Sequence, residues 1–368
     1  MGFESVVMMR FTLDEIKPFF LEPKLEDRKI ATILEKIKVM YTIDRKGLPS
    51  KKWTRTEVSA YSAFYLTTNV AKLTWLFDQL PRELKEELRH CDIIDFGTGP
   101  GTYLLAFLRY FEGEVTGDLM GVDKEELMLE QAQKLTRGLY PKASLEFFQH
   151  IPPPHNDQNK RLLIFGNSLN ELSDHEVIGI IERASADYIL FIEPGTPVVY
   201  DQMMKIRDHF KTTKGQVLFP CPSLDLACPV KVRLEKEDKY KDDWCHQVWR
   251  GTHDQSIERL GQLAKIDRKV MPMITHLYAS NKERVLDDSY TKARFIRFLN
   301  ESKHAFLWEV CLLENSEQKI CQFEIPKKTM SKKEAKEFKK LSVGASFDYE
   351  QLKEINDHHY RVKVNILS

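Results

Sequence analysis

The chain has 368 residues, of which 42% are hydrophobic and 30% charged, a composition typical of a soluble globular protein with room for two or three domains. Lys and Arg together number 55, as do Asp and Glu, so the overall charge favours no class of partner and any nucleic-acid argument must come from local clusters. No apolar run reaches the roughly 18 residues of a membrane span, and the first five residues lack the pattern of a secretory or mitochondrial leader, so we expect neither a membrane protein nor an exported one.

Helical patterns dominate the first 90 residues. Apolar side chains between Ile30 and Met40 recur at helical spacing, which predicts an amphipathic helix over 25–42. A second helical pattern, rich in aromatic residues, covers 56–79, and Pro81 suits the start of a short helix that ends near His90. The sequence therefore predicts a helical N-terminal region over 1–90.

Strands and helices alternate over the next segment, 91–215. The predicted elements are, in chain order, strand 92–96, helix 102–111, strand 119–122, helix 124–139, strands 144–148 and 161–165, helix 177–184, strand 188–192 and a helix that begins at Pro197. Such an alternation is typical of a doubly wound, Rossmann-like parallel sheet of the α/β class. Ligands of these sheets bind beyond the carboxyl ends of the strands.

The alternation stops near residue 215. Residues 221–254 are rich in cysteine, proline and charge, and short strand patterns follow, among them 306–313, 318–325 and 360–366. Residues 327–341 read as a basic helix. We therefore predict a cysteine-rich, mostly β C-terminal region over 216–368.

A glycine-rich turn lies between the first predicted strand and the following helix. Gly97, Gly99 and Gly101 allow the backbone to approach a ligand closely, with helix amides directed at it. A dinucleotide fingerprint would require its third glycine at position 102, which is Thr. Together with Asp95, the pattern instead resembles motif I of adenosylmethionine-dependent methyltransferases, in which the acidic residue faces the ammonium group of the cofactor.

Asp123 follows the second predicted strand, 22 positions beyond Gly101. This spacing is close to the ~20 residues that separate the glycines from the ribose-binding acid in dinucleotide folds. We therefore predict that Asp123 accepts from the ribose of adenosylmethionine. The alternative is a tight turn in which Asp123 only caps the next helix.

The segment after strand 161–165 is where amine-modifying methyltransferases carry an Asn/Asp-Pro-Pro-aromatic motif, and this chain lacks it. Asn167 and Glu171 are expected at the mouth of the pocket, with Asn167 in contact with the cofactor, or else they cap the helix that follows. Pro220-Cys221 resembles the nucleophile of cytosine-C5 methyltransferases, but it follows the sixth predicted strand rather than the fourth. No residue is predicted as the methyl-transfer catalyst.

Three cysteines lie close together in the C-terminal region. Cys221 and Cys228 are each followed by proline, and Cys245 lies beyond them at a wider spacing than the knuckles of structural zinc sites. A ligating cysteine followed by proline is also found in iron–sulfur proteins. The fourth ligand of such a site could be His246, Cys311 or Cys321, and spacing does not choose between them.

Two basic clusters are candidates for contact with phosphates. Residues 45–55 hold five basic side chains and Trp53 without an acid, and residues 327–340 hold seven lysines against two glutamates. A solvated helix face is the alternative for the second cluster.

The ordered set of motifs resembles the methyltransferase-like assembly factors of the small ribosomal subunit, the "ribosomal small subunit of mitochondria" family. The resemblance covers about residues 56–345. It is carried by the segments beginning at Tyr61, Asp95, Asn167, Ile192, Pro220, Cys228, Asp243 and Lys303.

The resemblance implies a methyltransferase-like domain beside a [4Fe–4S] cluster, with zinc as the alternative metal. Cys311 matches the fourth ligand of the family, which completes the set Cys221, Cys228, Cys245 and Cys311. The implied partners are the small ribosomal subunit and its rRNA, with neither DNA nor a membrane. We therefore expect an assembly or translation factor, with an active adenosylmethionine-dependent rRNA methyltransferase as the alternative. The expected location is the bacterial cytoplasm, or the mitochondrial matrix in a eukaryote.

Overall fold

The computed structural model describes residues 10–42, 52–153, 159–240, 242–280, 293–314, 316–338 and 343–365. The chain divides into two compact units. The first unit comprises Met1–Glu193 and Arg250–Met271, and the second comprises Pro194–Trp249 and Pro272–Ser368. The predicted division into regions 1–90, 91–215 and 216–368 stays a prediction. Within the described residues, no helix has both the length and the apolar character needed to cross a membrane.

The first unit begins with helices. They are α1 (Leu13–Ile16), α2 (Asp27–Thr42), α3 (Arg55–Tyr61), α4 (Thr67–Gln79) and α5 (Arg82–Arg89). The π-helical turn Ser62–Leu66 joins α3 to α4, so one helix runs from Arg55 to Gln79. Thr54 and Glu57 form a reciprocal capping box that fixes its first turn. π-Helical turns inside helices are frequently found at functional sites.

A parallel sheet forms the rest of this unit. Its elements are β1 (Asp92–Phe96), α6 (Thr102–Tyr110), β2 (Leu119–Val122), α7 (Glu126–Leu139), β3 (Leu145–Phe148), β4 (Arg161–Gly166), α8 (Asp174–Ala184) and β5 (Tyr188–Pro194). The strand order is β3-β2-β1-β4-β5, and each of these pairs is parallel. The predicted doubly wound α/β sheet is therefore confirmed.

The candidate ligand site is positioned by the point at which the strand order of the sheet reverses. The chain moves from β1 outward to β2 and β3, and later from β4 in the opposite direction to β5. Because such crossovers are right-handed, α6 and α7 lie on one face of the sheet and α8 on the other. The carboxyl ends of β1 and β4 are adjacent at this reversal, which is where ligands of these sheets bind.

The second unit contains α9 (Pro197–Thr212), β6 (Gln216–Phe219), α10 (Pro229–Lys236), β7 (Gln247–Arg250) and β8 (Val270–Ala279). β8 pairs antiparallel with β6 and also pairs with β7. Between β7 and β8, α11 (Gln255–Leu263) returns to the first unit.

The second unit ends in a closed five-stranded barrel. Its elements are β9 (Ala293–Glu301), β10 (Ala305–Glu314), β11 (Glu317–Pro326), α12 (Lys332–Phe338), β12 (Ser346–Asn356) and β13 (His359–Asn365). The strands close in the order β10-β11-β13-β12-β9. Alternate residues of each strand fill one core, among them Phe295, Trp308, Phe323 and Phe347. The predicted β-rich, cysteine-containing C-terminal region is confirmed.

The predicted basic helix over 327–341 differs from the structure. Lys327–Thr329 form a 3₁₀ turn, and α12 begins only at Lys332. The reason is local, because the backbone amide of Ser331 donates to Glu334 while the amide of Glu334 donates to the Ser331 hydroxyl. This pair of bonds starts a new helix at that point.

Candidate functional site

The glycine loop lies between β1 and α6. Gly97 and Gly101 adopt φ values of 71° and 85°, which side-chain-bearing residues rarely adopt. The amides of Gly97 and Thr98 donate to the carbonyl of Val122 at 2.8 and 3.0 Å, so the loop is bonded to the end of β2. This arrangement fixes the backbone at the reversal point of the sheet.

Asp95 lies beneath this loop and has no exposed surface. Its Oδ2 accepts from the Thr98 hydroxyl at 2.7 Å, and the amides of Tyr103 and Leu104 at the start of α6 favour its ionised form. Burial nevertheless raises the pKa of Asp95 to about 7. The carboxylate therefore faces the turn and the helix start.

Asp123 connects the glycine loop to the start of α7. Its Oδ2 accepts from the amide of Gly99 at 2.8 Å, and its Oδ1 accepts from the amide of Glu125 at 3.0 Å. Burial raises the pKa of Asp123 above its ordinary value. The structure therefore shows the turn-capping role of Asp123, and its contact with the ribose stays a prediction.

A cavity of about 620 Å³ opens over this loop. Of the six residues predicted to contact a cofactor, its wall includes Gly97, Gly99, Asp123 and Asn167. Asp95 and Gly101 are not part of the wall, and a Cβ at Gly101 would lie 3.3 Å from Ala132 of α7. The volume falls within the ~300–1,000 Å³ of small-molecule pockets.

Asn167 is held by two side chains at the end of β4. Its φ is 58°, its Oδ1 accepts from Lys72 Nζ at 2.9 Å, and its Nδ2 donates to the Tyr103 hydroxyl at 2.9 Å. Because an ammonium only donates, Lys72 fixes the carbonyl oxygen of the Asn167 carboxamide on its own side. Each end of the side chain therefore has one internal partner, which leaves one lone pair of Oδ1 and one N–H of Nδ2 for a ligand.

Glu193 supports the same turn from below and is fully buried. Its Oε1 accepts from the amides of Ser168 and Leu169 at 3.0 and 3.3 Å. Burial raises the pKa of Glu193 to about 7, although these amides and Lys72 oppose the rise. Burial, followed by the charge of Arg268, lowers the pKa of Lys72 to about 7.

Sequence reasoning did not predict roles for Lys72 and Glu193. The signal for Lys72 was a lysine among the apolar positions of helix α4, where only 3% of its surface is exposed. Glu193 is the last residue but one of the buried strand β5, and it is likewise a charged residue in an apolar run. Burying a charged side chain costs free energy unless it has polar partners, so a charged residue within an apolar segment indicates a buried polar network.

Aromatic side chains form another part of the cavity wall. Tyr41, Trp53 and Tyr61 line it, with the ring centres of Trp53 and Tyr61 5.8 Å apart and nearly perpendicular. Tyr61 precedes the π-helical turn, and Tyr65 within that turn packs 5.1 Å from it. These rings give the cavity an aromatic wall in addition to the polar loop.

The second unit gathers the four predicted metal ligands into one neighbourhood. Cys221 follows β6, Cys228 precedes α10, Cys245 precedes β7 and Cys311 lies in β10. Burial raises the pKa of Cys245 and of Cys311, and in both cases the charges of Cys228 and Cys221 raise it further. In the part of the chain that the structure describes, no three or more His, Cys, Asp or Glu side chains are arranged so that they could hold a metal ion.

The other two candidates for the fourth ligand have different surroundings. Cys321 belongs to the core of the barrel together with Phe323 and Ile325. His246 packs against Trp244, with ring centres 5.4 Å apart, and its Nδ1 lies 3.2 Å from the Trp244 carbonyl. Cys311 lies on the opposite face of its strand from the core residues Val310 and Leu312.

Polar side chains surround the cysteines. Arg207 donates to the carbonyls of Ser223 and Leu226, in the loop that joins Cys221 to Cys228. The Tyr200 hydroxyl lies 3.5 Å from the sulfur of Cys228, and Gln318 Nε2 donates to the sulfur of Cys311 at 3.6 Å. The bonds of Arg207 and Tyr200 join the loop between Cys221 and Cys228 to α9. The bond of Gln318 joins β11 to Cys311 of β10.

An ion-pair network joins the same segments. Arg233 of α10 pairs with Asp243, two residues before Cys245, and with Glu309, two residues before Cys311. Arg297 of β9 pairs with the same two carboxylates. The Arg233, Asp243 and Glu309 side chains are only 9–13% exposed. The network therefore fixes three chain segments that each carry a cysteine.

The predicted basic clusters have different outcomes. Arg45, Lys46 and Lys51 lie outside the described residues. Arg55 makes a bidentate pair with Glu130 at 2.8 and 3.0 Å, and Trp53 faces the cavity. Lys328, Lys332 and Lys333 of the second cluster are exposed or half-buried at the surface of the barrel.

The fold and the cavity together define a methyltransferase-like α/β protein. Residues 55–340 match the family described as mitochondrial small ribosomal subunit Rsm22. The chain belongs to this family, as its motifs predicted. The match begins at the first residue of α3 and ends before β12, so the last two strands of the barrel lie beyond it. No curated protein matches the chain.

Solved methyltransferases share part of the fold. The mitomycin 7-O-methyltransferase is 16% identical with a TM-score of 0.32, and the similarity covers 50% of this chain and 56% of that one. The magnesium protoporphyrin IX methyltransferase of Synechocystis PCC 6803 is 16% identical with a TM-score of 0.31, covering 52% and 88%. A methyltransferase from Thiobacillus denitrificans is 14% identical with a TM-score of 0.29, covering 54% and 92%. With TM-scores this low, these proteins carry no argument about the activity of this chain.

Proposed function

We propose that this protein is an assembly factor of the small ribosomal subunit that binds ribosomal RNA, retains an adenosylmethionine pocket and carries a [4Fe–4S] cluster. The observation that carries the proposal is the state of Asn167. Its side chain stands where amine-modifying methyltransferases present an acceptor to the target amine, yet Lys72 and Tyr103 hold it by one hydrogen bond to its carbonyl oxygen and one from its amide nitrogen. Such a site supports cofactor binding without efficient methyl transfer.

The residues around the cavity fit adenosylmethionine. Gly97 and Gly99 bring backbone to the cavity wall, and the Asp123 carboxylate lies at the end of β2, where a ribose acceptor is expected. We propose that Gly97, Gly99, Asp123 and Asn167 contact the cofactor. Asp95 and Gly101 shape the loop from behind, Asp95 through Thr98 and Gly101 by its close approach to α7.

The donor set of the second unit fits an iron–sulfur cluster. Four buried or half-buried thiols with no carboxylate among the proposed ligands form the donor set typical of [4Fe–4S] clusters and of some zinc sites. A single zinc ion needs all four sulfurs at ~2.3 Å from one point. A cluster spaces its thiolates more widely, because each binds a different iron. The mutual electrostatic effects of the four cysteines support a shared centre.

The proposed ligands are Cys221, Cys228, Cys245 and Cys311. When bound, the cluster would cross-link four segments that are far apart in sequence. The chain already holds these segments with Arg207 and Arg233, whose bonds orient the loops that carry the thiols. Metal binding would favour the deprotonated thiols, which burial otherwise disfavours.

The methyl-transfer test uses the full chain, methyl-labelled adenosylmethionine and small-subunit RNA. We expect saturable cofactor binding by calorimetry and no label in RNA above the level of an Asp123→Ala variant. Co-sedimentation with immature small subunits should occur in parallel. Label in RNA well above that of the variant would refute the non-catalytic proposal, and failure to sediment with the subunits would refute the assembly role.

The cluster test is metal analysis after anaerobic purification. We expect iron and acid-labile sulfide with a broad visible absorbance that is lost in Cys221→Ala. Cys321→Ala is the matched control, since its sulfur lies in the barrel core, and it should retain the absorbance. Stoichiometric zinc without iron in the wild-type protein would refute the cluster.

An active rRNA methyltransferase is the second candidate, and the aromatic wall favours it. Tyr41, Trp53 and Tyr61 could stack a target base in the cavity that holds the cofactor loop. If this function holds, Tyr61→Ala should lower methyl transfer much more than cofactor binding. Equal rates for wild type and Tyr61→Ala would remove the support for it.

A further inference from the structure

We infer that the C-terminal barrel of residues 293–365 is an oligonucleotide-binding barrel that holds single-stranded RNA at the end formed by its first loop. This inference rests on the proposed RNA-binding function and identifies the surface. Its first support is topology. Numbered from β9, the strands close in the order 1-2-3-5-4, strands 3 and 5 are parallel, and a helix, α12, lies between strands 3 and 4. This combination is that of the five-stranded OB barrel.

Part of the usual binding face of such barrels is covered in this chain. OB barrels bind oligonucleotides over strands 2 and 3, flanked by the loops between strands 1 and 2 and between strands 4 and 5. Here α10 packs on β11, and Glu309 of β10 pairs with Arg233 of α10 at 2.7 Å. The open part of the face is therefore the end near the first loop.

That end carries a basic patch. Ser302, Lys303 and His304 form the first loop and are exposed. The amide of Lys327 donates to the His304 carbonyl at 2.8 Å, which joins this loop to the lysine-rich segment after β11. Over 301–304 and 327–338, six lysines meet three glutamates, Glu301, Glu334 and Glu337, for a net charge of +3. The lysines are Lys303, Lys327, Lys328, Lys332, Lys333 and Lys336.

An exposed aromatic ring lies on β9, four positions before the first loop. Phe298 of β9 is 49% exposed, and its ring centre lies 5.6 Å from that of Trp308 at 72°. Trp308 is part of the barrel core, so it supports the ring of Phe298 from below. Base stacking on such rings is tolerant of sequence and requires an unpaired base. A ring beside lysines therefore favours single-stranded RNA over a duplex.

The test measures binding of the full chain to an oligouridylate of about 12 nucleotides, within the site sizes of OB barrels. Two variants probe the surface, Phe298→Leu and the triple Lys303→Gln, Lys328→Gln, Lys332→Gln. Phe298→Tyr keeps the ring, and Lys24→Gln, Lys29→Gln, Lys142→Gln removes the same charge from exposed positions of the first unit. Thermal unfolding checks that each variant is folded.

We expect Phe298→Leu to weaken binding at least about fivefold and Phe298→Tyr to keep it. The barrel lysine triple should lower the slope of log affinity against log salt by about 2, with little change in the first-unit triple. Wild-type binding that neither barrel variant alters would overturn this inference while the RNA-binding function stands. A wild-type chain that binds neither oligouridylate nor small-subunit RNA would overturn the function itself. Equal affinity for a duplex of the same length would overturn the single-strand assignment.

Discussion

Lys72→Met should remove one specific part of the pH dependence of stability. Lys72 is 3% exposed, donates to Asn167, and has its pKa lowered to about 7, chiefly by burial. In the unfolded chain, its amine has the ordinary pKa of 10.5. Between these two values the unfolded chain binds more protons than the folded one. The free energy of unfolding of the wild type therefore rises with pH over this window.

The magnitude follows from the two pKa values. The slope for one group is at most about 1.4 kcal/mol per pH unit, so Lys72 contributes a rise of about 2.5 kcal/mol between roughly pH 7.5 and 9.5. Methionine has a similar length and no charge, and the variant should lack this rise. The other titrating groups are common to both proteins, so their contributions to the free energy of unfolding cancel in the difference between wild type and variant.

Urea titrations at a series of pH values, followed by circular dichroism, measure this difference for the transition of the first unit. Lys142→Met is the matched control, because Lys142 is an exposed lysine of the same unit. We expect its pH dependence to follow that of the wild type. If Lys72→Met also keeps the wild-type slope, the Lys72 amine titrates near its ordinary value, and the buried network at Asn167 does not exist as described.

Three further predictions concern single side chains. Burial raises the pKa of Glu193 to about 7, so between about pH 5 and 7 the folded chain binds one proton more than the unfolded chain, and the free energy of unfolding falls as the pH rises. Glu193→Gln should remove this fall, which urea titrations at a series of pH values measure. Asp123→Ala should weaken adenosylmethionine binding about 10- to 100-fold by calorimetry, and an unchanged affinity would place the cofactor elsewhere. Arg233→Met should destabilise the second unit by about 2 kcal/mol, because two buried carboxylates lose their more buried arginine partner and keep only Arg297. Arg361→Met, in the more exposed pair with Glu324, should cost less than about 1 kcal/mol, and equal costs would contradict the network.

The parallel sheet could be predicted because its signals are local. β1 and β2 have the bounds that the short apolar runs indicated, 92–96 and 119–122. Ser173 and Glu176 have the spacing of a capping box, and the structure contains this box at the start of α8. Each of these features depends on residues within one turn or strand, so the sequence alone carries the information.

The closed barrel could not be predicted in the same way. β12 is 11 residues long, and most of it is exposed and rich in charged residues, so it lacks the alternation of a half-buried strand. Closure depends on pairs that are distant in sequence, Ser346 with Arg294 and Phe323 with Tyr360. Hydrophobic periodicity does not specify which strands pair, and the OB topology became visible only from the pairing.

The candidate site also combines features that the sequence shows with contacts that only the structure shows. The glycine loop and Asp123 are recognisable because their spacing reports a local strand–turn–helix structure. Lys72 and Asn167 are 95 positions apart, and their bond results from packing α4 against the end of β4. The sequence showed that a catalytic motif was absent after β4. It did not show that the remaining asparagine had been tied into the interior.

Strand β10 connects the two proposed sites of the second unit. Its outer face carries Glu309 and Cys311, which face α10 and the cysteine loop, and its inner face carries Trp308, on which Phe298 packs. Cys311, the proposed metal ligand, lies only three positions after Trp308, whose ring supports Phe298 of the proposed RNA surface. Because β10 pairs with both β9 and β11, any displacement of Cys311 would strain the register that positions the first loop. The proposed cysteine site and the proposed RNA surface therefore share one strand.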